Sequence, residues 1–318
     1  MAHTTAENIN SDQIPVVDLS PLRDGSAPVA VSKALHSASQ NLGFIYVKGH
    51  GIPDELIKAA RSTALDFFRL PESIKNTVRI SSHHRGWLGP GAARMSDTAK
   101  ADLKESFLWG AEPQGGDHPL TGPNQWPDDL PELQQTAMAY LERVHQVAHH
   151  LMRGFALGLG LDETFFLKTC TQPLSRASFV YYPPQEDTGS NVQFGVSPHT
   201  DFGVLTVLCQ DDTGGLHVQD AQGQWLQAPP IPDTLVVNVG DLLSRWTAGE
   251  YKSTPHRVVN TSGRERLSLV LAFDPNPETV IDSREIPCLD KHSHQPAITC
   301  GDYLVWRFAK AFSYRKQD

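Results

Sequence analysis

The pair His199-Thr200-Asp201, followed 55 residues later by His256, is the strongest constraint on how this 318-residue chain folds. Side chains two apart on a β-strand point to the same side, so His199 and Asp201 reach one point in space if this stretch is extended. Val204, Thr206 and Leu208 prolong a β-rich run after them. The distal histidine then arrives from a separate strand, because the intervening chain offers strand-like segments at residues 214–219 and 234–240 between Gly- and Pro-rich turns. The three side chains together predict a β-sandwich or the mouth of a barrel.

Two imidazoles and one carboxylate on one face of an octahedral ion leave three positions open, which suits a non-haem Fe(II) site that binds an organic acid and O₂ together. The pair alone also fits a surface histidine beside an acid. What favours the metal is the segment after the third ligand, Pro255-His256-Arg257-Val258-Val259-Asn260, then the strand-like run Arg266 to Phe273. Arg266 and Ser268 again stand two apart, and a guanidinium beside a hydroxyl makes a fork for a carboxylate.

Further segments carry a resemblance. Ile14-Pro15-Val16-Val17-Asp18-Leu19 reads as an opening strand, and Gly43 to Ile52 (GFIYVKGHGI) is similar to a G-F-F-x-V-x-N-H-G-I segment. Phe67-Phe68-Arg69-Leu70-Pro71, Arg85-Gly86-Trp87, Asp102 to Phe107 (DLKESF), Tyr181-Tyr182-Pro183-Pro184, Gly214-Gly215-Leu216, Val237 to Asp241 (VNVGD) and Trp246 to Ser253 follow in order. Along nearly its whole length the sequence resembles the isopenicillin N synthase-like group of Fe(II)/2-oxoglutarate-dependent oxygenases.

That resemblance implies an α+β, mainly β fold: a double-stranded β-helix (jelly-roll) core with a helical N-terminal part and a long packing helix. It divides the chain into an N-terminal region at 1–130 and a jelly-roll core at 131–318 within one compact unit. It implies that His199, Asp201 and His256 hold Fe(II) and that Arg266 and Ser268 bind the distal carboxylate of 2-oxoglutarate, with Tyr182 near the co-substrate. The asparagine usual two residues before that tyrosine is Val180 here. With O₂, such a site oxidises a small molecule by hydroxylation or desaturation and releases succinate and CO₂. Two other readings stand beside it: an iron oxidase that uses no 2-oxoglutarate, like isopenicillin N synthase or aminocyclopropane-carboxylate oxidase, and a non-enzymatic sensor or scaffold. By analogy the substrate pocket is expected to involve Trp87, Phe107, Phe273, Leu205 and Thr206.

A formal net charge of −9 speaks against a nucleic-acid surface. Cys170, Cys209, Cys288 and Cys300 are scattered, without a C-x-x-C, as in a reducing compartment. The N-terminus lacks a basic start and an apolar stretch of secretory length, and no apolar run approaches the ~20 residues that span a bilayer. These features predict a cytoplasmic protein that binds neither membrane nor nucleic acid, acts on a small-molecule substrate and works as a monomer.

The pattern of apolar residues predicts strands at 13–19 and 43–48 and helices at 29–41 and 54–68, the latter capped by Asp54. Leu133, Ala137, Leu141, Val144, Ala148, Leu151 and Phe155 predict the longest helix, over 131–160. His145 and His149 on it stand four apart, a spacing that suits a metal but lacks a third ligand. From 178 to 273 strands dominate. Residues 110–131, with Gly115-Gly116 and five prolines, read as a long irregular connection that either shapes substrate access or is a passive surface link.

Overall fold

In the computed structural model, residues 7–8, 14–92, 102–113, 117–185, 193–289 and 294–312 are described. Strands and helices follow in the order β1 (Glu7–Asn8), β2 (Val16–Asp18), α1 (Ser20–Arg23), α2 (Pro28–Asn41), β3 (Phe44–Lys48), α3 (Asp54–Phe68), α4 (Glu72–Thr77), β4 (Gly86–Leu88) and β5 (Glu105–Gly110). Next come α5 (Pro131–Gly158), β6 (Arg176–Tyr182), β7 (Val196–His199), β8 (Leu205–Gln210), β9 (Leu216–Gln219), β10 (Trp225–Gln227), β11 (Leu235–Val239) and α6 (Asp241–Trp246). The chain continues with β12 (His256–Val258), β13 (Arg266–Phe273), β14 (Val280–Ile281), β15 (Ile298–Thr299) and α7 (Cys300–Ala311). The expected helices and strands are present. Asp54, however, is the first helical residue, after Pro53, and no side chain caps that end.

An eight-stranded sheet, ordered β2-β3-β11-β8-β13-β6-β5-β4, faces a five-stranded one ordered β1-β10-β9-β12-β7. This is the jelly-roll, extended by β2 to β5 from the N-terminal part of the chain. The alternation of side chains across the large sheet divides the core in two. One row, including Ile45, Val47, Phe107, Trp109, Phe179, Val207, Val237, Leu269, Leu271 and Phe273, belongs to a cluster with Ala60, Phe67, Tyr140, Val144, Leu151 and Phe155 of α3 and α5. The opposite row contributes Phe44, Tyr46, Val180, Tyr182 and Val236 to a smaller cluster with Val196, Leu216, Val218 and Val258 of the other sheet. Helices thus seal one face with hydrocarbon, and polar groups are left to the face between the sheets.

Trp109 holds the long helix in place by donating from Nε1 to the carbonyl of Ala137, 3.2 Å away. His145 and His149 both lie edge-on to Phe273 in this packed layer. No third ligating group joins them among the described residues. The irregular connection is pinned rather than loose where it is described: Asn124 exchanges hydrogen bonds with both the N–H and the carbonyl of Gly110, and Gln125 donates to the carbonyls of Arg79 and Arg85.

Candidate active site

Between the sheets lies a cavity of about 220 Å³. The antiparallel pair β7–β12 sets His199 directly opposite His256, with ring centroids 4.3 Å apart. Asp201 follows β7 two residues on, and its Oδ1 lies 3.7 Å from Nε2 of each histidine. All three ligating atoms fall within 4.8 Å of one another.

The surroundings of each group leave the atoms facing this point unspent. His199 Nδ1 is 2.8 Å from the carbonyl of Ser197, and His256 Nδ1 is 3.2 Å from that of Thr254. A carbonyl only accepts, so Nδ1 carries the proton and Nε2 presents its lone pair. Asp201 Oδ2 accepts from Thr206 Oγ1 at 2.6 Å and Asn238 Nδ2 at 2.7 Å, which fixes the carboxylate and leaves Oδ1 free. Burial, with His256 beside it, pushes the His199 imidazole well below its usual range, and although burial opposes it, the two histidines and two hydrogen bonds hold the Asp201 carboxyl down. Two imidazole Nε2 atoms and a carboxylate oxygen turned to one point are a donor set that suits an Fe(II) ion.

On the large sheet, Arg266, Ser268, Val270 and Ala272 alternate into the cavity from β13. Ala272 pairs with Thr206, which holds Asp201, so Arg266 and the triad stand toward opposite ends of that strand. Arg266 is 1 % exposed. Its Nε donates to the Gly214 carbonyl (2.6 Å) and its Nη1 to Ser268 Oγ (2.8 Å), over the Tyr182 ring at 4.7 Å. Nη2 is buried with no partner. A buried guanidinium nitrogen left unpaired fits an acceptor brought by a ligand, and a dicarboxylate reaching from the triad supplies one. Val180, where an asparagine was expected, lines the cavity and brings no polar group.

Of the five residues expected around the substrate, Thr206 alone lines the cavity. Trp87, Phe107, Phe273 and Leu205 are buried in the layer under the helices instead. Phe107 packs on Phe67 and Trp126, and Trp87 donates to Glu105 Oε2. The correction is one of parity: a residue one step along a strand from a cavity residue faces the opposite way. Of the preceding segment, Lys104 and Leu108 line the cavity, and none of the described residues of the 110–131 connection does. On this side the cavity is lined by Phe202 and by Phe308 and Phe312 at the end of α7. Their four-residue spacing was the available signal, but no periodic helix was expected in the C-terminal stretch. Asn238 contacts Asp201 across 37 residues, a separation that no short motif spans.

Residues 14–129 match the model of the non-haem dioxygenase (morphine synthesis) N-terminal family, and residues 174–275 that of the 2OG-Fe(II) oxygenase superfamily. The chain therefore belongs to the isopenicillin N synthase-like family of 2-oxoglutarate/Fe(II) oxygenases. It is 34% identical to a probable iron/ascorbate oxidoreductase of Dictyostelium discoideum, with 96% of both chains covered. It is 33% identical to a 2-oxoglutarate-Fe(II) type oxidoreductase of Emericella nidulans, covering 95% of this chain and 93% of the relative. Among solved structures it resembles a full-length Neurospora crassa protein crystallised in complex with alpha-KG (2-oxoglutarate) and thymine, with a TM-score of 0.85, 30% identity and 95% and 98% coverage of the two chains. The protein is an Fe(II)- and 2-oxoglutarate-dependent dioxygenase that oxidises a small molecule with release of succinate and CO₂. The 2-oxoglutarate-independent and non-enzymatic readings give way to it. Among the described residues no helix is long and apolar enough to cross a membrane.

Proposed function

We propose that His199, Asp201 and His256 hold the iron, that Arg266 and Ser268 receive the distal carboxylate of 2-oxoglutarate above Tyr182, and that the substrate lies against Leu108, Phe202, Phe308 and Phe312. Bound Fe(II) and 2-oxoglutarate supply the oxidising power for hydroxylation or desaturation of an unactivated C–H bond. The chain's own part is geometric and electrostatic. Ser197 and Thr254 carbonyls aim the imidazoles, Thr206 and Asn238 aim the carboxylate, and the aromatic wall gives the substrate an apolar surface to lie against. The observation that carries this reading is the pairing of two unspent sets in one cavity: Nε2, Nε2 and Oδ1 converging at one place, and the orphaned Arg266 Nη2 at another. The free thiols of all four cysteines fit a cytoplasmic protein.

The test is an anaerobic titration of Fe(II), then 2-oxoglutarate, followed by the charge-transfer absorption of the chelate. The wild type should develop the band, and His199→Ala and His256→Ala should not. A band of full intensity in both variants would show that the iron is held elsewhere.

A further inference from the structure

We infer that Lys104 selects the substrate, by pairing its ammonium with a carboxylate carried on a compact, apolar molecule. This rests on the assignment of the cavity above as the oxygenase site.

Lys104 lies two residues before Ser106 and four before Leu108, and it lines the cavity with Leu108 and the triad. The segment that carries it is anchored to the strand of the first ligand. Leu103 donates its N–H to the Phe194 carbonyl, and Asp102 Oδ1 accepts from the N–H and the hydroxyl of Ser197 at 3.0 and 2.8 Å. The ammonium itself makes no hydrogen bond or ion pair with any described residue. Burial draws its pKa below the ordinary lysine value, and Asp102 and Asp201 act against this from a distance.

The other cations facing the cavity have separate tasks. Arg176 donates to Asp274 Oδ2 at 2.9 Å, and Arg266 spends Nε and Nη1 on Gly214 and Ser268 and keeps Nη2 for the co-substrate. Lys75 of α4, which does not line the cavity, pairs with Glu105 at 2.7 Å. Lys104 is half-buried in the cavity wall and its ammonium has no partner there, so an anion that comes with the ligand would meet it directly. Leu108, Phe202, Phe308 and Phe312 then face the rest of the molecule.

The probes are benzoate, phenylacetate and 3-phenylpropanoate, each beside its primary amide. They are added to the anaerobic Fe(II)–2-oxoglutarate complex while its charge-transfer band is recorded. At least one acid should shift the band at a concentration tenfold or more below that of its amide, a gap that a charge-assisted contact supplies. Lys104→Met should erase that gap with 2-oxoglutarate half-saturation unchanged within about twofold, and Lys104→Arg should keep most of it. The proposal is overturned if acids and amides are equivalent in the wild type, or if no acid shifts the band below about 10 mM. It is also overturned if Lys104→Met keeps the preference, or weakens 2-oxoglutarate instead, which would assign the ammonium to the co-substrate. A wild type that forms no band at all would fail the oxygenase assignment itself, and Lys104's role with it.

Discussion

Arg266→Met separates co-substrate binding from the iron site. Methionine fills much of the same tunnel but carries no donor, while the triad lies toward the other end of β13 and keeps its own hydrogen bonds. Two of the three donating nitrogens of Arg266 already serve Gly214 and Ser268, so the carboxylate meets Nη2 and the Ser268 hydroxyl. A hydrogen bond to a charged group is worth roughly 1.5–3 kcal/mol, which converts to a 2-oxoglutarate half-saturation raised about ten- to 150-fold. Loss of the Nε bond also leaves the Gly214 carbonyl short of a donor, at a cost of about 1–3 kcal/mol in folding stability, so the urea midpoint is measured in parallel. Arg266→Lys should recover part of the affinity, because a point charge replaces a planar fork. The assay is anaerobic titration of the Fe(II)-loaded variants with 2-oxoglutarate. A folded Arg266→Met enzyme that binds 2-oxoglutarate within about twofold of wild type would refute the reasoning.

Thr206→Val keeps the side-chain volume and removes one of the two donors to Asp201, so Fe(II) affinity in a chelator competition should fall roughly ten- to a hundredfold; an unchanged affinity would mean that Asn238 alone orients the carboxylate. Arg176→Met leaves Asp274, which is fully buried, without its cation and should cost about 3–5 kcal/mol by urea denaturation, with Asp274→Asn in the same chain restoring much of it. Burial, with His149 beside it, lowers the His145 imidazole from 6.5 to about 4. The unfolded chain therefore takes up this proton first as pH falls, and the stability present above about pH 6.5 is lost on the way to pH 4. The His145 share should be about 1–2 kcal/mol by pH 5, and His145→Leu should lose correspondingly less between pH 7 and pH 5; equal losses would remove His145 from the acid response. Phe308→Ala should lower product formed per succinate while 2-oxoglutarate decarboxylation without substrate persists, whereas Asn124→Ala should reduce stability and leave that ratio alone. The opposite pattern would return control of access to the 110–131 connection.

The sequence made legible whatever depends on short-range spacing. His199 and Asp201, and Arg266 and Ser268, each stand two apart on or beside strands, and α5 shows its apolar stripe over all 28 residues. Parity between strands was not legible. Leu205 and Phe273 pair directly across β8 and β13, so they share one face, but the sequence does not state which face. Only the register with Arg266 and Ser268, six and four residues before Ala272, shows that Phe273 points under the helices. Contacts over long separations were equally hidden, such as Arg176 with Asp274 and Asp102 with Ser197, since each partner is ordinary in its own neighbourhood.

The two faces of the large sheet explain why the missed residues fall as they do. α3 and α5 need a continuous apolar surface, so Leu267, Leu269, Leu271 and Phe273 are bound to that side and are unavailable for chemistry. The alternate row is relieved of this demand and carries Arg266 and Ser268 on β13, Thr206 on β8, Asn238 on β11, Arg176 on β6 and Lys104 before β5. The small sheet contributes the two histidines where β7 and β12 pair. Large aromatic residues on these strands are thus poor indicators of the substrate pocket, because packing claims them first. Polar residues at even spacing from Arg266 are better ones, and Lys104 is reached by the same rule through Tyr182, which pairs with Arg266 and sits one register step beyond the Glu105–Tyr181 pair.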